Sequence, residues 1–179
     1  MSSRFMNILH ICNDYCGSKV HTNLYAELDK QGVEQTVYTY YRDPSFEGKN
    51  KFEAQSTDFV YRPILRSHHR VLYHKKVRDV YDDLMRSQLS QTLSSYDLIH
   101  ATTLFSDGAV ARCVYKEYGT PYIVTARNTD INEFLGYAPH TWLTGRLVLK
   151  DARKIIFISK ALKEEFCRHP LVRTILKEI

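Results

Sequence analysis

The amino-acid sequence predicts an α/β domain built on a doubly wound, mainly parallel sheet. Three observations carry that expectation. Short apolar runs alternate with longer stretches of helical period along the whole chain. The runs are rich in Val, Ile, Tyr and Thr and do not alternate cleanly with polar residues, as expected of strands buried on both faces. The chain has 179 residues, 44% hydrophobic and 25% charged, which suits one globular domain at about 100–200 residues per domain. A disordered tail, a collagen-like fibre and a disulfide mini-protein are excluded by that composition.

The elements follow in order. A strand at 8–11 leads through a turn containing Gly17 into a helix over 18–31, where Leu24 and Leu28 give an apolar face and Gly32 stops the helix. A second strand is expected at 36–40. Residues 43–58, holding Pro44, Gly48, Lys49 and Asn50, form a polar surface loop before a strand at 59–61. One long helix is predicted over 69–93, because Val77, Val80, Tyr81, Leu84, Met85 and Leu89 fall on one stripe. A strand at 98–101 precedes a helix over 107–118 with Ser106 as its N-cap, and a strand at 122–125 precedes a helix over 141–151. The last strand, 155–158, passes Ser159, a second N-cap, into a helix over 160–168. Helical sequence continues over 171–179 with no closing signal, as in a piece of a longer protein.

The longest apolar run is four residues, against about 20 for a membrane span, and no signal-peptide pattern follows Met1 to Phe5. A cytoplasmic location is expected, extending to the inner face of the membrane. Cys12, Cys16, Cys113 and Cys167 have no disulfide-framework spacing, and Cys12, Cys16 and His21 match no standard zinc pattern. No metal is expected. The net charge of +5 favours an anionic partner. Between Arg62 and Arg78 there are six Lys or Arg, three His and no acid. Arg66, Arg70, Lys75 and Lys76 could dock to an anionic membrane. The same run also fits a solvated helix face or a nucleic-acid contact, although no nucleic-acid motif accompanies it.

In an open parallel sheet the ligand crevice lies beyond the carboxyl ends of the strands. The segments after the strands are therefore the candidates: Asn13 to Lys19, Thr102 to Asp107, Ala126 to Asn132, and Ser159. Gly17 permits close backbone approach and opens a helix N-terminus, which suits an anion; a tight turn needs the same glycine. Neither the dinucleotide fingerprint nor the P-loop is present. Arg127 offers a five-donor fork to a phosphate or sugar carboxylate, or pairs with Asp130. Asp130 orients a sugar hydroxyl or holds Arg127. His100 is either a positioning group at the crevice or a histidine satisfied inside the strand end.

Read together, these segments resemble family 4 glycosyltransferases. Asn7-Ile8-Leu9-His10-Ile11, the glycine turn, the helix closing at Gly32 and Thr36 to Tyr40 resemble the family's opening. Tyr96-Asp97-Leu98-Ile99-His100-Ala101 is similar to its "D-[VL]-[IV]-H-A-H" strand. Gly119-Thr120-Pro121-Tyr122-Ile123-Val124-Thr125 is similar to "G-I-P-x-V-x-T", continuing to Asp130 where the family has "H-G-x-D". Asp151 to Ser159 is similar to "A-D-x-I-I-x-V-S". Arg127 stands where histidine is commoner, Gly17-Ser18 where a double glycine is usual, and Thr102 where a second histidine falls.

The resemblance implies a Rossmann-like half of a GT-B fold, spanning 1–179 as a single acceptor-side N-terminal domain of a retaining enzyme. Nothing in the sequence resembles the donor-binding C-terminal domain. It implies a nucleotide sugar as donor substrate, no cofactor, a glycan or lipid-linked acceptor, and polysaccharide biosynthesis as the setting. Gly17, Ser18, Lys19, His100, Thr125, Arg127 and Asp130 become the substrate-binding candidates, with no catalytic base assigned. Gly17, Ser18, His100, Arg127 and Asp130 are expected to converge in one pocket, and the 179-residue chain alone to be inactive. The competing expectations are a non-catalytic ligand-binding module and a nucleic-acid-binding protein using the basic helix.

Overall fold

The computed structural model describes residues 6–176. Six strands form one all-parallel sheet in the order β3-β2-β1-β4-β5-β6. They are β1 (Asn7–Ile11), β2 (Glu34–Tyr40), β3 (Thr57–Arg62), β4 (Leu98–Ala101), β5 (Tyr122–Ala126) and β6 (Lys154–Phe157). The strand order reverses between β1 and β4, which puts a crevice at their carboxyl ends. The fold is Rossmann-like. The helices are α1 (Lys19–Lys30), α2 (Tyr73–Arg86), α3 (Ser106–Tyr118), α4 (Trp142–Asp151), α5 (Lys160–Arg168) and α6 (Pro170–Leu176). The first five residues, with the expectation of no signal segment there, and residues 177–179 of the predicted C-terminal helical run lie outside the described residues.

The two faces of the sheet carry different chemistry. Leu9, Ile11, Tyr38, Ile99, Ala101 and Val124 share one face and pack in the main core with α2, α3 and α4 through Val80, Leu84, Val110 and Val148. The other face presents Ile8, His10, Gln35, Val37, His100 and Thr125, and α1 meets it through Tyr25, whose ring lies against that of His10, and Asp29, which accepts from Thr57 of β3. A smaller core of Cys12, Tyr15, Cys16, Tyr25, Val37 and Tyr41 sits there. Over β6 this face is open, and Ile156 remains 42% exposed. The expectation that every strand is buried on both faces therefore fails at the β6 edge.

Several helix expectations are corrected. In α1 the buried stripe is His21, Tyr25 and Asp29, with Leu28 half-buried and Leu24 exposed. Ser18 precedes the helix as its N-cap, accepting from the Val20 amide at 3.3 Å, and Gly32 follows it with a φ of 78°, a left-handed conformation that suits glycine. The predicted long helix is broken. A 3-10 turn at Ser67–Arg70 precedes α2, and short 3-10 segments at Gln88–Gln91 and Leu93–Ser95 follow it. The cause lies in the hydroxyls. Ser87, Ser90, Thr92 and Ser95 each donate to the carbonyl three residues back, competing with helical continuation. Leu89 and Leu93 are nonetheless buried, so the apolar spacing outlives the helix.

Ser106 is not the cap of α3. The Thr103 hydroxyl accepts from the Asp107 amide at 3.0 Å instead. Ser159 does cap α5, accepting from the Leu162 amide at 3.1 Å. The segment after β5, expected as a loop, is helical and includes a π-helical turn at Asp130–Leu135.

Candidate functional site

A cleft of about 540 Å³ opens at the carboxyl edge of the sheet. Asn13 and Asp14 reach it from the turn after β1, and Arg42 from the end of β2. Thr103 and Ser106 come from the β4–α3 turn, and Arg127, Thr129, Asp130 and Glu133 from the segment after β5. Arg70, Tyr73 and Lys76 close the α2 side.

Asp130 shapes this edge. Its carboxylate accepts the backbone amides of Leu104 and Phe105 at 3.1 Å and of Arg127 at 2.9 Å. Burial pushes it up to about 6, against the pull of those amides. The start of α3, where a ligand anion would otherwise sit, is already filled by the protein's own carboxyl group. Asp130 thus has its oxygens committed to the backbone rather than to a sugar hydroxyl.

Arg127 does not pair with the Asp130 side chain. Its Nη1 lies 2.9 Å from His21 Nε2 and 3.4 Å from an Asp14 carboxylate oxygen. The arginine can only donate, so His21 Nε2 accepts. Burial first, then the Arg127 charge, lowers His21 to about 4 and keeps it neutral. Gly17 supports this trio. A Cβ there would collide with an Asp14 carboxylate oxygen, so a side chain at 17 would displace the group that meets Arg127.

The predicted residues divide. Arg127 and Asp130 line the cleft. Gly17, Ser18 and Lys19 flank Asp14 beside it without lining it. His100 and Thr125 lie on the α1 face of the sheet, in a chain of hydrogen bonds: Thr125 Oγ1 to His100 Nε2 at 2.9 Å, His100 Nδ1 to His10 Nδ1 at 3.0 Å, and His10 Nε2 to Gln35 Oε1 at 3.0 Å. Gln35 Nε2 then donates to Thr57 Oγ1 at 3.0 Å, and Thr57 donates to Asp29 at 2.7 Å. The amide oxygen of Gln35 can only accept, so His10 donates from Nε2, His100 donates from Nδ1, and Thr125 donates to His100. One neutral tautomer set satisfies the whole chain. The expected single pocket for Gly17, Ser18, His100, Arg127 and Asp130 is not formed.

The basic run is dispersed. Arg62 is bidentate to Asp83 at 2.6 and 2.8 Å, and Lys75 pairs with Asp79 at 2.8 Å. Lys76 turns into the cleft, with Nζ 3.0 Å from Ser106 Oγ. Arg66 and Arg70 stay exposed. His68, His69 and Asp79 bring ligand-type atoms within 4.8 Å of one another. They do not fit a resident metal: His69 Nδ1 accepts the Arg66 amide, its one proton faces Asp79, and Lys75 occupies the same carboxylate. Cys12 and Cys16 are buried in the small core, away from this group.

Sequence reading did not single out Asp14 within the candidate segment Asn13 to Lys19, and it missed Arg42 and the His10 end of the hydrogen-bond chain. The carboxyl-end rule finds Arg42 once it is applied to β2 as well.

A parallel sheet with a polar, cation-rich cleft where its strand order reverses defines a Rossmann-like ligand-binding domain. Residues 17–175 match the model of Glycosyltransferase Family 4, and the chain belongs to that family as its N-terminal domain. It is a glycosyltransferase domain. No curated protein matches it. No helix among the described residues is long and apolar enough to cross a membrane.

Proposed function

We propose that this domain is the acceptor side of a retaining glycosyltransferase that moves a sugar from a nucleotide-sugar donor to a glycan or lipid-linked acceptor. The nucleotide sugar is a substrate, and the enzyme uses no resident cofactor. The supporting observation is the cleft itself: about 540 Å³, within the range of small-molecule sites, and lined by Arg42, Arg70, Lys76 and Arg127. A second domain facing this cleft supplies most donor contacts. The rate comes from positioning and from stabilising the departing diphosphate by cations and helix-terminus amides. Arg127, oriented by Asp14 and His21, is the cation best held for that task.

The test compares the 179-residue chain with the full reading frame. The chain alone should neither transfer sugar nor hydrolyse nucleotide sugars at an appreciable rate, and the full-length enzyme should do so. In the latter, Arg127→Met should reduce kcat/KM. Robust turnover by the chain alone overturns the acceptor-side reading.

One observation favours membrane docking beside the cleft. Val71, 78% exposed, and Leu72 stand between Arg70 and Lys75, an apolar tip flanked by cations that suits an anionic leaflet. Binding to acidic vesicles should rise with acidic lipid and fall with salt, since the Debye length is about 8 Å at physiological ionic strength. Val71→Ser with Arg70→Ser should weaken it. Equal binding to neutral and acidic vesicles removes this reading.

A further inference from the structure

One corner of the cleft has an excess of positive charge. Arg42 follows β2, Lys76 lies in α2 and Ser106 opens α3, so three separate elements bring donors together. Arg42 gives one guanidinium nitrogen to the Arg66 carbonyl at 3.3 Å, while its Nε is buried with no hydrogen-bond partner. An orphaned buried donor is costly and asks for a ligand. Lys76 is largely desolvated, and burial holds its ammonium below the usual lysine range, with the Arg42 charge adding to that effect and Asp107 opposing it. Asp107 does not hold Lys76 directly. Its oxygens accept from Tyr40 at 2.6 Å and Thr102 at 2.7 Å. Of the carboxylates on the cleft wall, Asp14 meets Arg127 and Asp130 holds backbone amides; Glu133 is exposed.

We propose that the Arg42–Lys76–Ser106 corner binds a phosphoryl group carried by the acceptor. The inference rests on the acceptor-side reading and adds the acceptor's chemistry. A tetrahedral phosphate accepts from several directions at once, so it can take a guanidinium donor, an ammonium and a hydroxyl together. A neutral sugar hydroxyl would leave two cations facing one another. A planar carboxylate satisfies a single guanidinium fork and offers the ammonium less. The phosphoryl group can belong to a soluble sugar phosphate or to a lipid headgroup.

The chain is titrated at constant ionic strength with glucose 6-phosphate, glucose and inorganic phosphate, followed by calorimetry and by ³¹P line broadening. Glucose 6-phosphate and phosphate should bind and glucose should not. Lys76→Met and Arg42→Met should each weaken phosphate binding about tenfold or more, the scale of a lost charge-assisted hydrogen bond. Lys76→Arg should restore it, and Lys150→Met, on the exposed side of α4, should leave it unchanged. Should Lys76→Met fail to fold, Ser106→Ala gives the same readout with the charge intact.

Vesicles containing phosphatidylinositol separate the sources. Vesicle binding that inorganic phosphate displaces and Lys76→Met abolishes supports a lipid headgroup; binding of the soluble monoester without vesicle binding supports a sugar phosphate. Equal losses from Lys76→Met and Lys150→Met, or glucose binding as well as its phosphate, overturn the proposal. Those results leave the acceptor-side reading standing, because that reading is tested by transfer activity in the full-length enzyme.

Discussion

The two faces of this sheet solve the burial problem in opposite ways. Beneath α2, α3 and α4 the sheet residues are Leu, Ile, Val, Ala and Tyr, the Tyr38 and Tyr40 hydroxyls meeting Asp83 and Asp107, and stability there is mainly hydrophobic area and packing. Beneath α1 the middle of the sheet is crossed by Thr125, His100, His10, Gln35 and Thr57, ending on Asp29 of α1. That seam is stable because each donor meets one acceptor, and it tolerates no extra proton. The difference teaches where each kind of perturbation strikes: deleted volume should hurt the first face, and acid the second.

The largest effect expected is from volume. Ile99→Ala, fully buried in the apolar face, should cost about 2–5 kcal/mol in denaturant unfolding. Ile123→Ala, half-buried on the α1 face of the next strand, should cost about 1 kcal/mol. Equal costs would erase the contrast between the faces.

Acid comes next. Burial first, then the charges of neighbouring histidines, holds His10 well below its usual value; burial lowers His100 to about 4, with His21 adding. The unfolded chain therefore binds more protons between pH 6.5 and 4, so the stability these residues contribute is full above 6.5 and lost as pH falls toward 4. For His100 alone the loss is about 2–3 kcal/mol. Asp130, raised to about 6, and Asp107, also raised by burial, run the other way over part of that window. The decisive measurement is thus the slope of stability against pH, which the double variant His10→Asn, His100→Asn should flatten. An unchanged slope would place the proton uptake elsewhere.

A smaller effect should come from the end of the seam. Thr125→Val removes its first donor and should cost about 1 kcal/mol, measured by thermal unfolding at neutral pH. The smallest is Leu24→Ser, which should change stability by less than about 0.5 kcal/mol because Leu24 is 44% exposed on α1. A large loss there would mean that α1 is covered by something more.

The elements legible in the sequence were those set by local pattern: β1, β4 and β5, the glycine stop of α1 and the Ser159 cap. Misread elements were governed by competition or by distance. Ser87, Ser90 and Thr92 broke a helix whose apolar period ran on through them. Leu24 and Leu28 looked like the buried stripe of α1, but His21, Tyr25 and Asp29 took it because a polar seam waits beneath. The seam itself had a readable signal. His10 and His100 hold the fourth place in Asn7-Ile8-Leu9-His10 and Asp97-Leu98-Ile99-His100, and they are register partners once β1 pairs with β4. In the site, Arg127 and Asp130 were found by their place after β5. The partners of the Arg127 side chain were not, since Asp14 and His21 lie over a hundred residues away in sequence.

The Asp130 carboxylate has a mechanical consequence. By gripping the amides of Leu104, Phe105 and Arg127 it fastens the exit of β5 to the start of α3 through one side chain. The floor of the cleft and the wall bearing Arg127 therefore move as one piece, and a ligand pulling on Arg127 pulls on α3. The α2 side is tied to the same turn, since Tyr73 donates to the Phe105 carbonyl at 2.8 Å and Lys76 to the Ser106 hydroxyl at 3.0 Å.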